Sequence, residues 1–173
     1  MLVNGEKLTT IWFDDTKENV KIIDQRFLPH DLKIVDLNSV DDAVYAIKEM
    51  QVRGAPLIGV TAAFGMFLAS QKNTSIEFLK KSGEKLKNAR PTAVNLSWSV
   101  NKILNSIKNI EINRKDKILE LAKEIRINDI NSCSQIRENG LELIKKIYEK
   151  KKSTINILTH CNAGWLATVD WGT

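Results

Sequence analysis

Over the first forty residues, apolar and polar positions alternate in short runs. Leu8 to Phe13, Val20 to Asp24 and Leu32 to Leu37 each read as a strand, separated by polar turns at Asp14-Asp15 and around Pro29. A small antiparallel sheet is predicted there. The period then lengthens: Val40, Ala43, Val44, Ile47 and Met50 recur at helical spacing behind Ser39, which is placed to cap a helix with Asp42 three residues on. One face of that helix should be buried.

Past Arg53-Gly54-Ala55, Pro56 suits a first helical turn because its missing N–H would be unpaired there anyway, and Leu57 to Leu68 is apolar nearly all round. Such a helix belongs in the middle of a domain, and its Gly59, Ala62, Ala63 and Gly65 allow close backbone approach. Thr74 with Glu77 forms a capping-box pattern for a helix toward Ala89, and Pro91 or Thr92 opens another to about Lys108. From Lys115 to Lys152 the helical period runs through Ile118, Leu121, Ala122 and Ile125, then Ile136, Leu143, Ile144 and Ile147, with room for a break near Asn131 or Gly140.

The pattern changes once more at the end. Thr154 to Thr159 is a short β-branched apolar run that reads as a strand, His160 to Gly164 is a polar turn, and Trp165 to Val169 reads as the start of a helix. A parallel strand of this kind lies in a sheet with helices on both faces. Either it joins the N-terminal sheet, or it opens a second α/β domain of which the sequence holds only the beginning. A lone strand cannot satisfy its own edge groups, which favours the second alternative.

Composition narrows the class. A chain of 173 residues with 43% hydrophobic content can bury the core of one ordinary domain, or of one domain and a piece of another. Cys133 and Cys161 make no disulfide framework and no leader precedes the first polar segment, so a cytoplasmic address is the default. No run approaches the about 18 apolar residues of a membrane span. Much of the +5 formal charge lies in Lys145, Lys146, Lys150, Lys151 and Lys152, where a helix end favours cations, and such a run reads as a solvated face rather than a nucleic-acid surface.

Two places carry candidate chemistry. Thr159 to Gly164 follows a predicted strand and precedes a predicted helix, where open α/β sheets place ligands. A thiol at Cys161 would there be favoured as thiolate, below its usual pKa of about 8.5, and able to move a proton near neutrality. The alternative is a buried, inert cysteine, and spacing alone does not decide. Cys133, in a helical stretch away from any helix start, takes the inert reading. No metal site is expected, because His160 and Cys161 as strand neighbours point to opposite faces and no CxxC or HxxxH pair is present.

The second place is Val52-Arg53-Gly54-Ala55-Pro56, a guanidinium and a glycine-opened backbone at the start of a buried helix, where free N–H groups and the dipole favour an anion such as phosphate. It is neither a Walker loop nor a dinucleotide fingerprint. The alternative is an arginine that caps a neighbouring carbonyl. Arg90-Pro91-Thr92 repeats the arrangement, and two such turns in one small domain strengthen the case for a phosphorylated ligand.

Three stretches, VRGAPLIGVTAAFGM from Val52, RPTAVNLSWSV from Arg90 and ILTHCNAGWLATVDWGT from Ile157, together with IDQRFLP from Ile23, resemble the methylthioribose-1-phosphate isomerase family. That family is related to archaeal ribose-1,5-bisphosphate isomerase and to the non-catalytic regulatory subunits of translation initiation factor 2B. The similarity covers essentially the whole chain, and Asn95-Leu96-Ser97-Trp98 favours the methylthioribose branch. The resemblance implies an aldose-to-ketose isomerase of methionine salvage that acts on a phosphorylated pentose, needs no cofactor, and works as a homodimer. It makes Cys161 the catalytic cysteine, Arg53, Gly54 and Ala55 a substrate-binding loop, and Arg90 a second substrate-binding position. The implied fold is α+β: a small N-terminal antiparallel sheet and a helical bundle over 1–152, then, over 153–173, the first strand of an incomplete Rossmann-like domain. The family's proton-donating aspartate belongs to the later part of that domain, so Asp170 is not its counterpart and residues 1–173 alone are expected to be inactive. Two departures from the family pattern, Ser132-Cys133-Ser134 and Trp165, bear on substrate preference more than on fold.

Overall fold

The structure, a computed structural model, describes residues 1–3 and 5–173. Three strands, β3 (Ile11–Asp14), β4 (Asn19–Ile23) and β5 (Ile34–Leu37), form an antiparallel meander in that order, after a two-residue pairing of β1 (Leu2–Val3) with β2 (Glu6–Lys7). The register sets Ile11 opposite Ile22 and Val20 opposite Leu37, and all four are buried. A one-residue slip would turn this apolar set to solvent, so the alternation fixes the pairing. Lys21, on the other face, pairs with Asp36. The β1–β2 pairing was not expected from the sequence, since two residues are too few to show a period.

Helix α1 (Val40–Lys48) starts as expected: Ser39 Oγ accepts from the Asp42 N–H at 3.2 Å, and the Asp42 carboxylate accepts from Asn38 N–H at 2.9 Å. Helix α2 (Ala55–Lys72) is buried without interruption from Leu57 to Ser70. It is the axis of the molecule, packed against α1, α3 (Ile76–Ala89), α4 (Val94–Ile107) and α5 (Arg114–Lys151). The cap of α3 is Ser75 rather than Thr74, because Asn73 Oδ1 accepts the Ser75 N–H at 2.7 Å and carries the turn one residue further. Helix α4 begins at Val94, after a turn closed by the Ala93 N–H to the Arg90 carbonyl at 3.0 Å.

No break interrupts α5 at Asn131 or Gly140. A lone glycine costs a helix only about 1 kcal/mol relative to alanine, and no proline accompanies it. Its first half buries Ile118, Leu121, Ala122 and Ile125, and Cys133 is the last buried position; beyond it Ile136, Leu143 and Ile147 are exposed. Among the described residues no helix is long and apolar enough to cross a membrane.

The end of the chain departs from expectation. Residues 154–159 form no strand, Leu158 is 97% exposed, and Trp165–Ala167 is a single 3₁₀ turn rather than the start of an α-helix. The physical reason is the one that made the strand conspicuous: among the described residues none lies alongside to complete its hydrogen bonds. The α+β order of sheet and helical bundle therefore holds, whereas the Rossmann-like ending is not formed here. Instead residues 166–169 return to the body: Thr10 N–H donates to the Val169 carbonyl at 3.1 Å, Thr10 Oγ1 to the Thr168 carbonyl at 2.6 Å, Gln25 Nε2 to the Leu166 carbonyl at 2.7 Å, and the Val169 N–H to Asp129 Oδ2 at 2.7 Å.

Candidate functional site

The Arg53 turn is built on buried polar contacts. Asp24 is 1% exposed and its carboxylate accepts from Arg26 Nε at 2.9 Å and from Gln51 Nε2 at 2.7 Å. Burial opposes the charge on Asp24, but the hydrogen bonds from Arg26 and Gln51 overcome it and hold the carboxyl below the usual carboxylate range. Gln51 in turn accepts the Gln25 N–H at its carbonyl, 2.9 Å away, so the strand end and the approach to α2 are tied together. Gly54 follows with φ 82° and ψ 137°, a conformation that disfavours a side chain, and a Cβ there would stand 2.4 Å from Ala167 Cα. Glycine is thus required twice, for backbone and for space.

Arg53 itself is half-buried, and among the described residues its Nε is buried with no hydrogen-bond partner. A buried donor left so costs about 1–3 kcal/mol, and an anion at the start of α2 would satisfy it. Ala55 is exposed at that helix start, ahead of Pro56. Arg90 is the C-cap of α3, half-buried, just ahead of α4. The N-terminal part of α2 packs closely on the first turn of α4: a Cβ on Gly59 would lie 3.1 Å from Asn95 Cβ. Each arginine therefore stands just before one of two helix starts in contact.

Between α2, α4 and α5 lies a cleft of about 210 Å³, with Pro56, Gly59, Asn95 and Ser99 among its walls. A larger cavity of about 500 Å³, bordered by Ser39, Leu68, Phe78 and Lys85, holds none of Arg53, Gly54, Ala55, Arg90 and Cys161.

Cys161 is exposed, with φ 65°, in a loop whose residues 155–163 make no hydrogen bond to the rest of the described chain. Of the two alternatives left open for this cysteine, burial does not apply. The expected helix N-terminus beside it is also missing, since only a three-residue 3₁₀ turn follows. Among the described residues no hydrogen bond joins Cys161 to the arginine turns; the chain that carries it meets the Arg53 turn through Ala167 against Gly54. Cys133 is buried, and burial, with the Asp129 charge adding to it, pushes its thiol up. Asp129 was not foreseen. Burial pushes its carboxyl up, against the Val169 N–H it accepts. Its place four residues after Ile125 and four before Cys133, on the inward period of α5, was the available signal. Among the described residues no group of three or more His, Cys, Asp or Glu converges as a metal site.

Residues 51–169, which include both arginine turns, match a family whose description is the initiation factor 2 subunit family, and the chain belongs to it. Within that family the chain is 46% identical over 176 residues to the methylthioribose-1-phosphate isomerase of Rhizobium meliloti (strain 1021), covering 100% of this chain and 48% of the relative. It is 44% identical to the protein of the same name from Escherichia coli O45:K1, with 100% and 47% coverage. Among solved structures it resembles 5-methylthioribose 1-phosphate isomerase from Pyrococcus horikoshii OT3, with a TM-score of 0.82 and 35% identity over 97% of this chain and 47% of that one. It also resembles subunit delta of translation initiation factor eIF-2B from A. fulgidus, with a TM-score of 0.78, 34% identity, and 96% and 48% coverage. The chain spans about half the length of the curated relatives it matches.

Proposed function

We propose that this chain is the substrate-anchoring part of an isomerase that converts 5-methylthioribose 1-phosphate to 5-methylthioribulose 1-phosphate. The observation that carries the reading is the partnerless, buried Arg53 Nε at the glycine-opened start of α2, in a chain 44–46% identical to proteins of that name. Arg53, with the backbone of Gly54 and Ala55, takes the phosphate, and Arg90 supplies a second cation. The anomeric oxygen of this substrate is phosphorylated, so the ring cannot open to a free aldehyde by itself. An acid must protonate the ring oxygen while one hydrogen passes from the second carbon to the first. Cys161 handles that hydrogen on the enediol route, and a direct hydride shift is the other balanced route.

The acid is assigned to chain of the kind its relatives have beyond this length, so residues 1–173 alone should not turn over. The boundary after Lys152 is retained within this proposal, supported by the end of α5 at Lys151. The working form is taken, from the resemblance, to be a cytoplasmic homodimer. A second reading, a non-catalytic regulatory subunit, rests on the likeness to the eIF-2B structure. One experiment separates them: residues 1–173 are mixed with the complementary half of the Rhizobium meliloti enzyme and ketose formation is followed. Turnover only in the mixture, with binding weakened about 2–5 kcal/mol by Arg53→Ala or Arg90→Ala, supports the isomerase. A silent mixture whose components are folded and associated supports the regulatory subunit.

A further inference from the structure

Helix α3 meets α1 and α2 through a face set by its sequence. Leu79, Gly83 and Leu86 are buried in the core, and Phe78, Lys81, Ser82 and Lys85, spaced three and four residues apart, share the flank beside them. Opposite that flank lie the last turn of α2 and the first turn of α1. Ala69 and Ser82 are small, and the space between the three helices is left open as the cavity of about 500 Å³. That volume falls within the about 300–1,000 Å³ of pockets that take small ligands. Leu68 stands 13 residues after Ala55 on α2, a rise of about 20 Å, so this cavity and the Arg53 turn cannot share one small ligand.

The walls are of two kinds. Val40, Leu68 and Phe78 are apolar, with Leu68 2% exposed. Lys72, Lys81 and Lys85 are cationic, and Asp41 is the one carboxylate among the lining residues. Asp41 pairs with Lys85 between α1 and α3, but both are exposed, and a pair of that kind contributes little and can yield to a ligand. Lys72 and Lys81 have no ion-pair partner among the described residues, so the cavity carries uncompensated positive charge.

Ser82 points the same way. It is 5% exposed, yet its hydroxyl makes no hydrogen bond among the described residues, whereas those of Thr61, Ser70 and Ser106 each donate to a carbonyl of their own helix. A buried hydroxyl in a cavity wall without a protein partner calls for a ligand or a water. Ser39 Oγ, also in the wall, is already taken by the Asp42 N–H, and the Asn38 side chain already accepts from Asn19. Few groups remain for the many hydroxyls of a sugar. An apolar body carrying one acid group matches the walls better, and the Phe78 ring suits an aromatic body.

We propose that this cavity is a second ligand site, for a small organic acid with an aromatic or branched apolar body. The body lies on Val40, Leu68 and Phe78, and the carboxylate is met by Lys72, Lys81 and the Ser82 hydroxyl. The site does not depend on the reading of Arg53 as a phosphate anchor.

Titration of the ¹⁵N-labelled 173-residue chain with 4-phenylbutyrate, the neutral 4-phenylbutanol and inorganic phosphate tests this through the backbone amide shifts. Phenylbutyrate should move the amides of residues 68–72 and 78–85 saturably, and bind about two- to tenfold more tightly than the alcohol, the order of one or two exposed charge contacts. Lys81→Glu, a change at an exposed position, should abolish that preference and leave the affinity for the alcohol unchanged. Ser82→Leu, which fills the cavity, should remove binding of both, with circular dichroism confirming the fold; should it fail to fold, Lys81→Glu still decides. Inorganic phosphate has no apolar body and should leave these amides in place. Equal affinities for acid and alcohol, or an undiminished preference in Lys81→Glu, would overturn the assignment of an anion. Saturable shifts at 68–72 and 78–85 with phosphate would overturn the amphipathic class, and no saturable shift there with phenylbutyrate would overturn the site.

Discussion

The turn at Arg53 and the loop at Cys161 lie on either side of one packed contact, Gly54 against Ala167, yet they are held to very different degrees. The arginine turn is fixed by a buried carboxylate, a buried amide and a glycine with no space for a side chain. The cysteine loop is exposed from residue 156 to 163 and makes no hydrogen bond there among the described residues. The groups proposed to bind the phosphate are held in place by the fold, whereas the group proposed for hydrogen transfer is not. Preorganisation lowers the cost of binding, so the difference predicts that the two regions respond to mutation in opposite currencies.

The largest effect should come from chemistry. In the complete enzyme, Cys161→Ser is expected to lower kcat by about 10²–10⁴-fold with KM nearly unchanged, as steady-state kinetics would show. A similar kcat in the variant would remove the thiol from the reaction. The stability of this chain, by contrast, should not notice that change.

Gly54→Ala should do the reverse and unfold the arginine turn. Positive φ and overpacking against Ala167 together cost about 2–5 kcal/mol, readable as a fall in the urea midpoint. Next comes Asp24→Asn, expected to cost about 1.5–3 kcal/mol through the charged hydrogen bonds to Arg26 and Gln51. Because the folded carboxyl of Asp24 lies below its unfolded value of about 3.9, its contribution is present above that pH and lost as pH falls through the folded value. A urea series from pH 6 downward should show the wild-type advantage over the variant vanish. Asp129 has the opposite sign: its raised carboxyl favours the fold below the unfolded value and loses that contribution as pH rises through the folded one, so Asp129→Asn should be neutral or stabilising at pH 7.

The smallest effects belong to the exposed stretches. Leu158→Ala, at a position 97% exposed, should change stability by less than about 0.5 kcal/mol. Gly140→Ala should raise it by about 0.5–1 kcal/mol, since a Cβ there meets nothing within 4 Å and the helix continues through it. A large loss from Leu158→Ala would mean that the cysteine loop is packed, and would erase the contrast.

Much of this was legible in the residues because it is local. The Ser39 cap, the all-round apolar run of α2 and the alternation around Ile11, Val20 and Ile22 each declare themselves within a few positions. Gly54 and Arg53 could be flagged from the helix start alone. What could not be read depends on partners distant in sequence. Residues 154–159 have the composition of a strand, but a strand is decided by a neighbour. Thr10, Gln25 and Asp129 hold residues 166–169 across more than 100, 100 and 30 positions respectively, as separations of 158, 141 and 40 show, and no period marks such pairs.

Helix α5 runs unbroken to Lys151, and residues 166–169 are bound back beside its own Asp129. The stretch that carries Cys161 is therefore suspended between two fixed moorings, a rigid mast at one end and a clamp at the other. The eighteen helical steps from Cys133 to Lys151 rise about 27 Å, whereas the return from 152 to 168 could extend to about 56 Å, so the line hangs with slack. Doubling such a loop costs only about 0.6 kcal/mol of closure entropy. The reach of the thiol can thus be lengthened, shortened or re-aimed between relatives almost without charge to the stability of the body that holds the arginines.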